Sequence, residues 1–349
     1  MSSAAGYDAI LVLGFGGPEQ PDDVMPFLEN VVRGRNVPRE RLLEVAEHYQ
    51  HLGGKSPIND QCRALIAALR GELSAHGIEL PIYWGNRNWQ PLLADVLRTM
   101  RDDGIRRAAV YVTSAFSSYS GCRQYREDLE QARAALGEGA PELDKLRVFY
   151  NHPGFVDAVT DRVRAALSTL GEPQRARARL VFTAHSIPLT MAAGCDYVAQ
   201  LREIAGVVAG RFTQGEFDLV FQSRSGPPQV PWLEPDIGEH VRALAARGVR
   251  ELVVVPLGFV SDHMEVVWDL DHEAKDSAEQ LGVTLVRAGT VGEHPLFVAM
   301  IRELIEEKLG IVSTRRTYDG SAPRPDTCVP GCCAYTPGRP PSRLGAISR

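Results

Sequence analysis

The chain has 349 residues, a formal charge of −6, and 44% hydrophobic and 23% charged residues. That length allows two domains with substantial cores, and the acidic balance argues against nucleic acid as the main partner. No apolar run approaches the roughly 20 residues of a membrane span, and residues 1–8 lack the basic and apolar regions of a signal peptide. A soluble cytoplasmic protein is expected, in which cysteines serve as thiols or metal ligands more readily than as disulfides.

Ala9-Ile-Leu-Val-Leu13 reads as a strand and Gly14-Phe-Gly-Gly-Pro18 as the turn after it. This is not GxGxxG, because Pro18 and Glu19 follow the glycines where that motif needs a helix to open. Residues 24–32 read as a helix, 53–59 as a loop and 61–75 as a helix. A Walker A reading of Gly54-Lys55-Ser56 fails, since position 49 is tyrosine and not glycine. Strands follow at 80–85 and 106–113. Asn86-Arg-Asn-Trp89 lies past the first of these. A polar, aromatic loop from Ser114 to Tyr125 lies past the second and leads into a helix. The second half repeats the plan: a helix at 155–170, a polar connector at 171–177, and strands at 180–184, 218–222, 251–256 and 283–287. Helices at 196–211, 237–247 and 294–309 complete it. Strand–helix alternation predicts parallel, doubly wound sheets in two α/β domains, 7–150 and 151–314, with a cleft between them. Residues 315–349 form a Pro/Gly-rich tail that holds three of the six cysteines, Cys328, Cys332 and Cys333.

Leu180-Val-Phe-Thr-Ala-His-Ser-Ile-Pro188 runs apolar and β-prone residues straight into His185, and Ser186 and Pro188 stop the strand. In open α/β sheets the reactive crevice lies beyond the carboxyl ends of the strands. A lone histidine there is as readily a satisfied core residue, but a second strand ends the same way, in His263 and Glu265. If the residues after His263 are helical, Glu265, Asp269 and Glu273 fall at i, i+4 and i+8 on one face. Such a stripe is commonly a solvated surface. Here Val266, Val267, Trp268 and Leu270 occupy the other side, and the stripe begins at a buried strand. A histidine plus a line of carboxylates can bind a divalent cation or relay protons. HExxH and Gly-x-Ser-x-Gly are both absent, which removes zinc-peptidase and hydrolase-elbow readings. Gln222-Ser-Arg-Ser-Gly-Pro-Pro-Gln-Val-Pro-Trp-Leu-Glu-Pro235 is an ordered loop on the same rim.

Read together, Phe182-Thr-Ala-His-Ser-Ile-Pro188, Gln222-Ser-Arg-Ser-Gly-Pro-Pro with Pro231-Trp-Leu-Glu-Pro235, and Ser261-Asp-His-Met-Glu265 resemble the ferrochelatase family over about residues 7–310. The family pattern Gly-Asp-Pro-Tyr is here Gly194-Cys-Asp-Tyr197, a local departure. The resemblance implies two Rossmann-like domains with a porphyrin in the cleft and Fe²⁺ as substrate. His185 matches the family's active-site histidine and Glu265 its essential acid, with metal binding and proton removal divided between them in either order. Asp269 and Glu273 would continue a proton or metal path. The chain is most similar to the actinobacterial branch, whose members act on coproporphyrin III ahead of a decarboxylase, a partner for transient contact. Phe15, Ser56, Tyr125, Trp232 and His263 would contact the substrate. Ser56 and Tyr125 lie in segments that hold propionates in such relatives, and Phe15 stands where many of them have tyrosine. Alternatives are a protoporphyrin IX ferrochelatase, a cobalt chelatase, or a non-catalytic heme or siderophore carrier, which would have no need of the acidic stripe.

The resemblance also bears on the cysteines. Some ferrochelatases, actinobacterial ones included, carry a 2Fe–2S cluster, which needs four thiolates. Cys328, Cys332 and Cys333 would supply three of them. Cys122 is the fourth by choice, Cys195 the alternative, and Cys62, within a helix, the remotest. A tail with incidental cysteines is the competing reading.

Overall fold

The computed structural model describes residues 6–34, 37–213, 215–226 and 229–336. Pro227, Pro228 and the tail from 337 onward lie outside them. The first sheet contains β1 (Ala9–Gly14), β2 (Ile82–Asn86), β3 (Arg107–Val112) and β4 (Glu142–Lys145), in the order β2-β1-β3-β4. The second contains β5 (Arg179–His185), β6 (Phe217–Gln222), β7 (Glu251–Val255) and β8 (Thr284–Arg287), in the order β6-β5-β7-β8. Every pairing is parallel. Central strands of such sheets are covered by helices on both faces, so they are apolar at every position. All of β1 and β7 and the interior of β5 are buried accordingly.

Several elements depart from the expected plan, among them a helix at Arg39–His51 that it lacked. The strand β4 has one apolar residue, Leu143, and forms because β3 offers it a ladder from Arg107↔Glu142 to Val110↔Lys145. The connector 171–177 contains a short helix, Glu172–Arg177, with a proline in its first turn. Gln174 Oε1 reaches back to accept from the Gly171 N–H at 3.3 Å, satisfying a donor at the helix start.

One apolar core runs through both halves, from Ile10, Val12 and Tyr111 to Phe182 and Val253. The last helix, Pro295–Leu309, packs on the helices Ile58–Ala75 and Pro153–Ser168. Arg147 fixes it by a fully buried two-point pair with Glu307, at 2.8 and 2.9 Å. Removing one partner of such a pair costs about 3–5 kcal/mol. Polar bonds lock the halves closer to the cleft. Gln200 exchanges bonds with the Ser117 N–H (2.8 Å) and Oγ (3.0 Å), and Gln61 Oε1 accepts from the Asp262 N–H at 2.7 Å. A separate apolar cluster gathers Phe15 and Trp89, which follow β1 and β2, with Phe27, Tyr49, Met264 and Trp268. The strand ends of both sheets therefore open onto one cleft.

Candidate active site

His185 is the last residue of β5 and is paired in register with Gln222, the last residue of β6. The preceding residues are buried, which fixes the backbone, while the imidazole emerges 31% exposed. Tyr197 donates its hydroxyl to the His185 carbonyl at 3.2 Å, and Ser186 N–H donates to the Gln222 carbonyl at 2.8 Å. Gly258 lets the loop after β7 lie against this strand end. Its N–H donates to the Thr183 carbonyl at 3.0 Å, and a Cβ there would come within 2.6 Å of the Ala184 Cβ.

The Nδ1 atom of His185 is hydrogen-bonded to the Ser186 carbonyl. A carbonyl only accepts, so Nδ1 carries a proton in every charge state and Nε2 is the nitrogen that gains or loses one. That nitrogen stands 3.6 Å from Glu265 Oε2. Burial alone would lower the His185 pKa, but the Glu265 carboxylate outweighs it and the net shift is upward. Burial likewise opposes charge on Glu265, and His185 overrides it to hold the carboxyl at about 2. Each group therefore favours the charged form of the other, imidazolium at His185 and carboxylate at Glu265.

His263 caps the helical segment that carries Glu265, accepting from the Glu265 N–H through Nδ1 at 3.2 Å. An imidazole that accepts at Nδ1 is neutral. Burial, the larger influence, lowers its pKa against the pull of Glu265 and keeps it so.

After Met264–Val266 the chain does not continue as the expected α-helix. Val267–Ala274 widens into a π-helix before Lys275–Gln280 resumes α geometry. Such widenings recur at functional sites. The carboxylates of the stripe have different surroundings. Burial pushes the Asp269 carboxyl up to about 7, opposed by the Ser223 hydroxyl bonded to it and reinforced by the charges of Glu265 and Glu273. Glu273 accepts from Trp268 Nε1 at 2.9 Å. Trp268 in turn stacks on His48 of the first half, with ring centroids 4.2 Å apart. The stripe thus runs from a paired carboxylate, through one held near neutrality, to one at the junction of the halves.

The remaining candidates are spread around the cleft. Phe15 packs edge-on to Phe27 at 6.3 Å, with the Arg87 guanidinium 5.9 Å away. Ser56 is buried, its N–H donating to the Pro18 carbonyl at 2.9 Å. Tyr125 is buried too, with Arg87 over its ring at 4.5 Å and Asp128 paired to that arginine. Trp232 bridges to Pro188, and its buried Nε1–H has no partner among the described residues. Sequence reasoning passed over Arg87, Gln222 and Ser223 as functional side chains. Arg87 follows a strand end, the same signal that pointed to His185.

Away from this cleft, Cys122, Cys328, Cys332 and Cys333 line one cavity of about 200 Å³. Cys122 sits in a π-helical turn, Tyr119–Arg123, and Arg123 Nη1 donates to the Cys332 carbonyl at 3.0 Å. The Cys332 and Cys333 sulfurs are 3.6 Å apart, and the nearness of Cys122 and Cys328 raises the pKa of the first and lowers that of the second. Arg123, Arg126, Arg133, Lys145 and Lys308 also border the cavity and outnumber the carboxylates there, Glu130, Asp144 and Asp326. Four thiols among cationic groups suit a negatively charged thiolate-ligated centre. The thiols are not drawn into a ligand shell: among the described residues no group of three or more His, Cys, Asp or Glu is arranged to hold a metal ion. Cys195 instead donates to the Met191 carbonyl at 3.3 Å, and Cys62 lies beneath β1 near Gly14.

A protein-family model described as Ferrochelatase matches residues 7–309. The chain belongs to the ferrochelatase family. It is 54% identical over 342 residues to a protein of Rhodopirellula baltica named ferrochelatase, covering 98% of this chain and 97% of that one. It is 52% identical over 338 residues to the coproporphyrin III ferrochelatase of Mycolicibacterium smegmatis, covering 94% and 99%. Among solved structures it is similar to SirB from Bacillus subtilis with Fe³⁺, at 16% identity and a TM-score of 0.52 over 86% of this chain and 97% of that one. That likeness supports the chelatase fold alone. No helix among the described residues is long and apolar enough to cross a membrane.

Proposed function

We propose that this protein inserts ferrous iron into coproporphyrin III to give the iron coproporphyrin of heme synthesis, in the cytoplasm. The observation that carries the chemistry is the His185–Glu265 pair, 3.6 Å apart at the strand ends, with Asp269 beyond it. Related proteins named for coproporphyrin III support the substrate. Insertion exchanges one Fe²⁺ for the two pyrrole protons of the porphyrin. Nε2 of His185 can release its proton and offer a lone pair to the metal or to a pyrrole N–H. Glu265, already ionised, needs no proton loss to receive a cation. Asp269, held near neutrality, can take up and release a proton at working pH, and Glu273 stands between it and the surface. Phe15, Ser56, Tyr125, Trp232 and His263 are assigned to the porphyrin rim, with Arg87 as an added cation near Tyr125. The macrocycle's product would pass to a decarboxylase, with transient contact between the two proteins. Initial rates with Fe²⁺ and either coproporphyrin III or protoporphyrin IX test the substrate. Coproporphyrin III is expected to show the higher kcat/KM, and the reverse order would overturn the assignment.

A 2Fe–2S cluster held by Cys122, Cys328, Cys332 and Cys333 belongs to the same proposal, with Cys195 in reserve for Cys122. Its support is the shared cavity and its cationic border. When bound, such a cluster supplies one-electron redox chemistry. Protein purified anaerobically is expected to be red-brown, with two iron and two sulfide per chain. The colour should vanish in Cys328→Ser or Cys122→Ser and survive in Cys195→Ser. Colourless protein without acid-labile sulfide would remove the cluster and leave the chelatase chemistry standing.

A further inference from the structure

We infer that Gln222 and Ser223, at the end of β6, are positioning residues that tie the histidine of the site to its carboxylates, and that Ser223 acts through Asp269. The inference rests on the chelatase reading above. Gln222 is buried and uses both its backbone and its side chain at the site. Its carbonyl accepts from Ser186 N–H at 2.8 Å, next to His185. Its Nε2 donates to the Glu265 carbonyl at 3.2 Å and to Asp269 Oδ2 at 3.3 Å. The amide orientation is dictated by these two acceptors, because a flipped Oε1 would face two oxygens. The cost is visible: Oε1 is buried without a partner among the described residues. One residue therefore reaches β5, the first turn of the carboxylate helix and the π-helical segment after it.

Ser223 completes the clamp. Its φ of +60° is a left-handed conformation that non-glycine residues seldom adopt. That turn brings its hydroxyl onto Asp269 Oδ2, the same oxygen that Gln222 reaches. Strain of this kind persists where the surroundings over-determine it, and it gathers at functional sites. A glycine at position 223 would relieve the backbone, so a purely structural requirement favours glycine. The serine keeps a hydroxyl there at the expense of an unfavourable φ. Both donors act on the same oxygen of Asp269, so the clamp holds the carboxylate from one side.

The test is Ser223→Gly, made in the full-length protein and again in an Asp269→Asn background. The expected result in the otherwise natural chain is a fall in kcat of roughly tenfold. The KM values for iron and porphyrin should not move, and relief of the left-handed backbone should offset part of the stability lost with the hydroxyl bond to Asp269. In the Asp269→Asn background, Ser223→Gly should cost nothing further, since the group it positions is gone. Unchanged kcat in the natural background would overturn the inference, as would equal losses in both backgrounds or a loss that appears in KM. A natural chain that turns over no porphyrin would instead defeat the chelatase reading, an outcome distinct from all of these.

Discussion

His185→Ala is expected to give a folded protein with turnover lowered by about a thousandfold or more, the combined loss of a ligand and a proton acceptor. The imidazole is 31% exposed and contributes little packing, whereas the backbone of β5 is held by its ladders and by Tyr197. The stability change should be small, since a partly exposed ion pair contributes about 0–1 kcal/mol. Its pH dependence has a definite sign. Glu265 is depressed to about 2, so its share is fully present above the ordinary carboxylate pKa and is lost as pH falls from there through about 2. His185 is raised, so its share is present below the ordinary imidazole pKa and is lost as pH climbs past its own. The difference in Tm between natural and variant protein should thus be largest between about pH 4.3 and about pH 6.5. Circular dichroism melts and initial rates on the same preparation check both halves. Near-normal turnover by a folded His185→Ala protein would remove the imidazole from the chemistry.

What was legible in the chain follows from how each feature is encoded. The strands β1, β5 and β7 are continuous apolar runs because both their faces are covered, and a run of that kind can be read locally. Polar β4 could not, because its pairing with β3 creates it. His185 announced itself as a polar residue ending a buried strand and Glu265 as one on the segment beyond another, yet nothing local encodes the 3.6 Å between them, which depends on β6 pairing with β5 and on Gln222 bonding the helical turn that carries Glu265. The π-helical turn at Val267–Ala274 has the residues of an ordinary amphipathic helix, and bonds from a distant strand end accompany its departure from α geometry. Ser56 and Tyr125 rest in the sequence on resemblance alone, and nothing local shows that both are buried in the fold. The convergence of Cys122 with the tail cysteines is likewise tertiary, and in the sequence it rested on resemblance alone.

Glu265→Gln should lower turnover by about a hundredfold or more, and Asp269→Asn by less, with the two separated by their response to pH. Glutamine keeps the shape of Glu265 but removes the charge that raises His185. The His185 pKa should then fall, because burial would be opposed only by the Ser186 carbonyl and the more distant Asp269, and the pairing with Glu265 would be gone. Both reactive groups are affected by that single change. Asp269 is different: burial holds its carboxyl at about 7, so near neutrality much of the population already carries the proton that asparagine mimics. Its raised pKa favours the folded state below the ordinary carboxylate range, and that advantage is lost as pH rises through about 7. Asp269→Asn should therefore melt no lower than the natural protein at pH 8, where an ionised Asp269 is least comfortable, and its rate should lose any rise with pH through about 7. Imidazole nuclear magnetic resonance of His185, with rates from pH 6 to 8.5, would follow both variants. If Glu265→Gln and Asp269→Asn show equal rates and the same pH profile as the natural protein, the carboxylate stripe is a solvated helix face and the proton path through it does not exist.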